Sequence, residues 1–121
     1  MIGVVLIEYL SGCLDDVFVG MEPPEELTDY VIVEQIGSSR NNHIVTTTYA
    51  IKSYGASLYE AMFLNERIKA VMNDFTSLNL ITRVELETDY NFTDTATKQY
   101  RWQAVYDITH YEEGINGTDS R

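Results

Sequence analysis

Three features of this sequence predict an α+β fold, with an antiparallel sheet of four to five strands and two helices packed mainly on one face. Ile81 to Tyr111 holds two long alternating runs around a polar break. Two more strand-like runs lie between Tyr30 and Tyr54. A capping box at Ser57 opens an apolar helix between these two pairs. Strand pairs interrupted by helices, with no strict strand–helix alternation, point to this class.

In chain order, Ile2, Val5, Leu6, Tyr9 and Cys13 follow helical spacing. The run is also β-branched enough for a strand, but Ser11-Gly12 suits a helix stop, so residues 2 to 10 read as helix. Val17 to Val19 reads as a short strand. Glu22-Pro23-Pro24-Glu25-Glu26 cannot continue a ladder, because proline has no N–H to donate, and forms an acidic surface loop. Tyr30 to Ile36 is apolar on both faces, as in a more central strand. Gly37 to His43 is rich in turn formers and longer than a tight hairpin needs, which predicts a flexible polar tongue. Ile44 to Tyr54 is the next strand, with Val45, Thr47, Tyr49 and Ile51 on one side.

Ser57 and Glu60 stand three apart, each placed to bond the other's backbone N–H. The helix behind them runs to about Asp74, with an apolar face of Leu58, Ala61, Met62, Leu64, Ile68, Val71, Met72 and Phe75. Glu66 and Lys69 can pair along it. In the closing hairpin, alternation puts Thr82, Val84, Leu86, Thr88, Tyr90 and Phe92 on the buried face. Arg83, Glu85, Glu87, Asp89 and Asn91 fall on the wet one. On the second strand Tyr100, Trp102, Ala104, Tyr106 and Ile108 share the buried face, with Val105 an exception on the other. Residues 1–111 form one α+β domain, and the polar, glycine-bearing residues 112–121 form a flexible tail.

The chain has 121 residues, 45% of them hydrophobic, which is enough for a real core. No run approaches the roughly 18 apolar residues of a membrane helix. The apolar start lacks a preceding cation and carries Glu8, unlike a secretory signal. One cysteine, Cys13, gives no internal disulfide and reads as a small core residue. The sequons at Asn91 and Asn116 therefore carry no glycan. Net charge is −11, and residues 1 to 39 hold acids without a single Lys or Arg. Such a chain does not grip a phosphate backbone. The acidity serves solubility, or it repels DNA that must pass without sticking.

No catalytic constellation is visible, so the sequence predicts no enzyme, no cofactor and no metal. His43 and His110 have no ligand spacing and read as surface histidines. The phosphate-loop, dinucleotide and nucleophile-elbow motifs are missing. The acid pairs Asp15-Asp16 and Glu25-Glu26 diverge in extended chain and make poor acid–base partners. Asp89 and Asp94 flank a turn and could hold a weak cation, although turn chemistry explains them equally. Tyr90, Phe92 and Tyr100 cluster around the polar tip at 91–100. They either close the end of the core or form a contact surface.

The segments Gly37–Ile44, Ala56–Met72 and Asp89–Tyr111 resemble small tail-completion, or tail-terminator, proteins of siphophages and prophages of Gram-positive bacteria. The resemblance covers residues 17 to 111, and the first sixteen residues match least. Such proteins are similar to the tail terminator of lambda-like phages. The resemblance implies an α+β subunit of a hexameric ring that caps the tail tube and docks to the head connector, with DNA passing through the lumen unbound. It places the protein in the virion neck, after assembly in the bacterial cytoplasm. It also suggests contact residues: Ser38, Ser39, Arg40, Asn41 and Asn42 in the tongue, and Asn91, Phe92, Asp94, Thr95 and Lys98 at the tip. The alternatives are a neighbouring head-completion (stopper) protein, or an adaptor that binds a partner by strand addition at a sheet edge.

Overall fold

A computed structural model describes residues 2–78 and 80–111. The tail expected at 112–121 lies outside the described residues. The elements are α1 (Ile2–Cys13), β1 (Phe18–Gly20), β2 (Tyr30–Asn41), β3 (Ile44–Gly55), α2 (Leu58–Met72), a 3-10 turn (Phe75–Ser77), β4 (Ile81–Asn91) and β5 (Tyr100–Tyr111). One sheet of five strands has the order β1-β2-β3-β5-β4. The fold is α+β, but the sheet is mixed rather than antiparallel, because β1 pairs parallel with β2 (Phe18 opposite Tyr30). A parallel neighbour normally requires a long crossover. Here β1 is only three residues long, so residues 21–29 suffice to bring the chain back.

Both helices cover the same face. One core cluster joins Ile2, Leu6, Leu10 and Leu14 from α1 and its end to Val31, Val33, Tyr49 and Ile51 of the sheet. The same cluster joins Leu64, Ile68 and Met72 of α2 to Ala104, Tyr106 and Ile108. Each Leu or Ile so placed stabilises the fold by about 1.5–3 kcal/mol. The Tyr9 hydroxyl donates to the Val71 carbonyl at 2.5 Å, tying α1 to α2. Burial pushes this phenol up to about 12. α1 is a helix, and it does not stop at Ser11-Gly12. Leu14 still donates to the Leu10 carbonyl (2.8 Å), because the Leu6–Leu10–Leu14 stripe is anchored in the core. Cys13 falls off that stripe and is exposed, so it is not a core residue.

The capping box is present: the Glu60 N–H donates to Ser57 Oγ at 3.2 Å. The return bond comes from the Ser57 hydroxyl to Glu60 Oε2 instead of from the Ser57 backbone. Gly55 makes the tight β3–α2 passage possible. A Cβ there would lie 2.5 Å from Ala61 N. The expected apolar face of α2 is only partly correct. Ala61, Leu64, Ile68 and Met72 are buried, whereas Leu58 and Met62 are exposed.

The expected alternation of β4 fails, because the register slips between Ile81 and Arg83 and again between Leu86 and Thr88. Each bulge adds one residue and flips every side chain beyond it. Asp89 therefore pairs with Ala104 and turns under α2, while Tyr90 pairs with Gln103 on the helix-free face. His110 is also not a surface residue. It is buried, its Nε2 3.0 Å from Thr47 Oγ1.

Candidate assembly interface

The expected flexible tongue is an ordered arm. β2 continues through Ser38, Ser39 and Arg40 to Asn41, which pair with Thr47, Thr46, Val45 and Ile44. A two-residue turn closes it, with Asn42 at φ 60° as such hairpins require. Residues 34–43 are all exposed. A register shift at Gln35/Gly37 leaves Ile36 52% exposed at the base of the arm.

The second expected surface is the β4–β5 tip. Asn91 Oδ1 accepts from the Thr93 N–H at 3.0 Å, and Asp94 Oδ1 accepts from the Ala96 and Thr97 N–H groups. A hydrogen bond from the Thr97 side chain, together with the backbone bonds from Thr97 and Ala96, holds the Asp94 carboxyl below its ordinary pKa. Lys98 takes φ 58°, and Thr95 and Lys98 are exposed. Phe92 is 41% exposed and carries the Arg101 guanidinium 4.6 Å above its ring. Tyr90 meets Phe92 edge-on at 5.9 Å. Tyr90 and Phe92 thus sit on the helix-free face and do not close the core.

The structure does not bring the two surfaces together. Ile44, beside the arm turn, pairs with Tyr111, and Gly55 pairs with Tyr100 at the other end. Twelve residues of β3 at about 3.3 Å each put the two surfaces ~35 Å apart. Each is a separate exposed surface of one sheet.

Three further features escaped the sequence. A ladder crosses four strands on the helix-free face. Tyr30 stacks on Tyr54 at 4.5 Å, and Arg101 lies between the Tyr54 and Phe92 rings while its Nε donates to the Phe92 carbonyl at 2.6 Å. Burial and the neighbouring Tyr54 raise the Tyr30 phenol. On the same face Glu85, Glu87 and Asp107 bring carboxylate oxygens within 4.8 Å of one another. Hydrogen bonding to Asp107 and its charge raise Glu87. These three residues are where a cation would fit; the expected pair does not converge. Asp89 is hydrogen-bonded to α2, and Asp94 is committed to its own turn. The third feature is the solvent side of α2. Tyr59 (68%) and Phe63 (54%) are exposed there beside Leu58 and Met62, and their rings stack at 6.2 Å. The repeat of apolar residues at 58, 59, 62 and 63 was its signal.

The hollows are open and of mixed character. One of ≈ 340 Å³ lies between α2 and β4, where Lys69 and Glu66 pair at 2.8 Å beside Tyr106. Burial pushes the Tyr106 phenol up to about 12. A second, ≈ 490 Å³, runs along β2 past the end of β1, lined by Met21, Pro23, Ile32 and Val33. No helix among the described residues is long and apolar enough to cross a membrane. No protein-family model matches the sequence, and no curated protein matches it.

Proposed function

We propose that this chain is a non-catalytic structural subunit of the phage head–tail interface, a ring-forming tail terminator that caps the tail tube and docks to the head connector. The observation that carries this reading is the pair of unlike, exposed contact surfaces at opposite ends of one sheet. A closed ring needs two non-identical surfaces per subunit. The arm at 34–43 offers serine, asparagine and Arg40, and the tip offers Phe92, Thr95 and Lys98. The partners are other copies of the chain, the tube protein and the connector proteins. The acids of residues 1–39 and the Glu85–Glu87–Asp107 group suit a lumen wall that repels passing DNA. The virion neck is the place such a subunit occupies.

Electron microscopy of the purified protein, alone and mixed with tail tubes, tests this. Rings, or caps on tube ends, support the reading. A strict monomer at high concentration that ignores tubes overturns it.

One observation favours the adaptor alternative. β1 covers only Tyr30–Ile32 of β2, so the edge from Val33 onward is open beside the hollow lined by Met21 and Pro23. A partner strand could add there. The bulges in β2 and β4 argue against it, since bulges blunt edges against pairing. A stable 1:1 complex with an unrelated extended peptide would favour the adaptor. The helix-backed open sheet with α2 in mid-chain disfavours a β-barrel stopper.

A further inference from the structure

β1 stops at Gly20, opposite Ile32, while β2 runs on to Asn41. From Val33 outward, the side of β2 turned away from β3 has no strand beside it among the described residues. Such an edge presents N–H and C=O groups that the main chain of another segment can satisfy. The hollow of ≈ 490 Å³ lies along it, lined by Val33 and Gln35 of the edge and by Met21 and Pro23 from the turn after β1. That turn does not close the edge itself, because Pro23-Pro24 has no N–H to donate. The bulge of β2 falls between Gln35 and Gly37. Up to that point the register is regular, with Val33 opposite Ile51, Glu34 opposite Ala50 and Gln35 opposite Tyr49. The bulge therefore limits an added strand to a short one and does not block it.

Charge sets the sign of the occupant. Glu34 lines the hollow but is held by Lys52 at 2.7 Å. Glu22, Glu25 and Glu26, in the loop that leaves β1, are exposed and make no ion pair among the described residues. Residues 1–39 hold no Lys or Arg to offset them. This field repels acidic peptides and phosphate backbones and steers cationic segments inward. We infer that the β2 edge from Val33 to Gln35 takes an extended basic peptide segment of a partner protein. The segment adds a short strand there, sets an apolar side chain against Met21 and Pro23, and turns its lysines or arginines toward Glu22, Glu25 and Glu26. A short ladder and exposed ion pairs make the contact weak and salt-sensitive. The inference rests on the strand-addition reading and names its partner's chemistry; ring formation neither requires nor excludes it.

Fluorescence anisotropy of the full chain with a labelled peptide of alternating valine and lysine, about eight residues long, tests it. The expected result is saturable binding that weakens as salt rises. Methylating alternate backbone nitrogens along one edge of the peptide should abolish binding, and methylating the other edge should not. Glu22→Gln, Glu25→Gln and Glu26→Gln together should weaken binding roughly tenfold. Met21→Ser should weaken it as well, and thermal melts check that these exposed substitutions leave the fold intact. No saturable binding, or binding that neither methylation pattern changes, overturns the proposal and the strand-addition reading with it. A serine-for-lysine peptide bound as tightly, or no effect of the three Gln substitutions, overturns the basic partner alone and leaves strand addition standing.

Discussion

The Asn65 side chain donates to Asp89 Oδ2 across 2.8 Å, joining the buried side of α2 to the edge strand β4. Lys69 Nζ reaches the same oxygen at 2.9 Å. Burial alone would raise Asp89. The hydrogen bonds from Lys69 and Asn65, with a further one from Trp102, outweigh it and hold the carboxyl below its ordinary pKa. A folded carboxyl with a depressed pKa stabilises the fold above the unfolded value of about 3.9, and that contribution is lost as pH falls through the lower folded value. Asp89→Asn should therefore destabilise the protein at pH 7, and by less at an acidic pH below the unfolded value. Urea melts at the two pH values measure this. An equal gap at both would show that the ionised carboxylate is not what matters.

Asn65 is fully buried, and Asn65→Ala leaves Asp89 short of one donor beneath the helix. The expected loss is about 1–3 kcal/mol, read as a drop in urea midpoint with unchanged slope. A loss near zero would mean that Lys69 and Trp102 hold Asp89 without help.

The β3–α2 passage sets a sharper constraint. At Gly55 an added Cβ would meet backbone, Ala61 N at 2.5 Å and Glu60 C at 2.9 Å, which cannot rotate aside as a side chain could. Gly55→Ala should cost about 1–3 kcal/mol or more. Ser57→Ala, two residues on, removes only a cap and should cost about 1 kcal/mol. Thermal melts of the two variants should keep that order, and the reverse order would contradict so close a β3–α2 passage.

These positions show which parts of the fold are legible in sequence. Short-range signals transfer well: the Ser57–Glu60 box, the Glu66–Lys69 pair and the shared face of Trp102, Ala104, Tyr106 and Ile108 all appear where spacing puts them. What periodicity cannot carry is an inserted residue. The bulge between Leu86 and Thr88 leaves no mark in the alternation, yet it decides that Asp89 faces α2 and Tyr90 faces away. Strand direction is equally silent, since Val17–Phe18–Val19 reads the same in a parallel or an antiparallel pair. The arm is a strand despite its Ser, Asn and Gly, which favour turns, because cross-strand pairing with Thr46 and Thr47 overrides that preference. Of the candidate site, the two tips were legible as polar breaks. Their separation followed only from the pairing of β3 with β5.

That separation gives the most direct test of the assembly reading. Arg40, Asn41 and Asn42 are exposed and lie outside the main core cluster. Substituting Arg40→Glu or Asn41→Glu should change stability by no more than the few tenths of a kcal/mol typical of surface changes, read as a nearly unchanged Tm. The same changes should abolish ring formation or tube capping if the arm is a subunit contact. Substitutions at the other end, Phe92→Ala and Lys98→Glu, should impair assembly independently, because ~35 Å of sheet separates the two surfaces. Mixing arm-deficient with tip-deficient protein distinguishes a head-to-tail contact from two unrelated ones. If the arm docks against the tip of the next copy, each mutant retains one intact half, and the mixture forms pairs that neither mutant forms alone. Pairs that appear only in the mixture, read by mass photometry, support that geometry. Unimpaired assembly by both single-end variants would remove both ends from the interface.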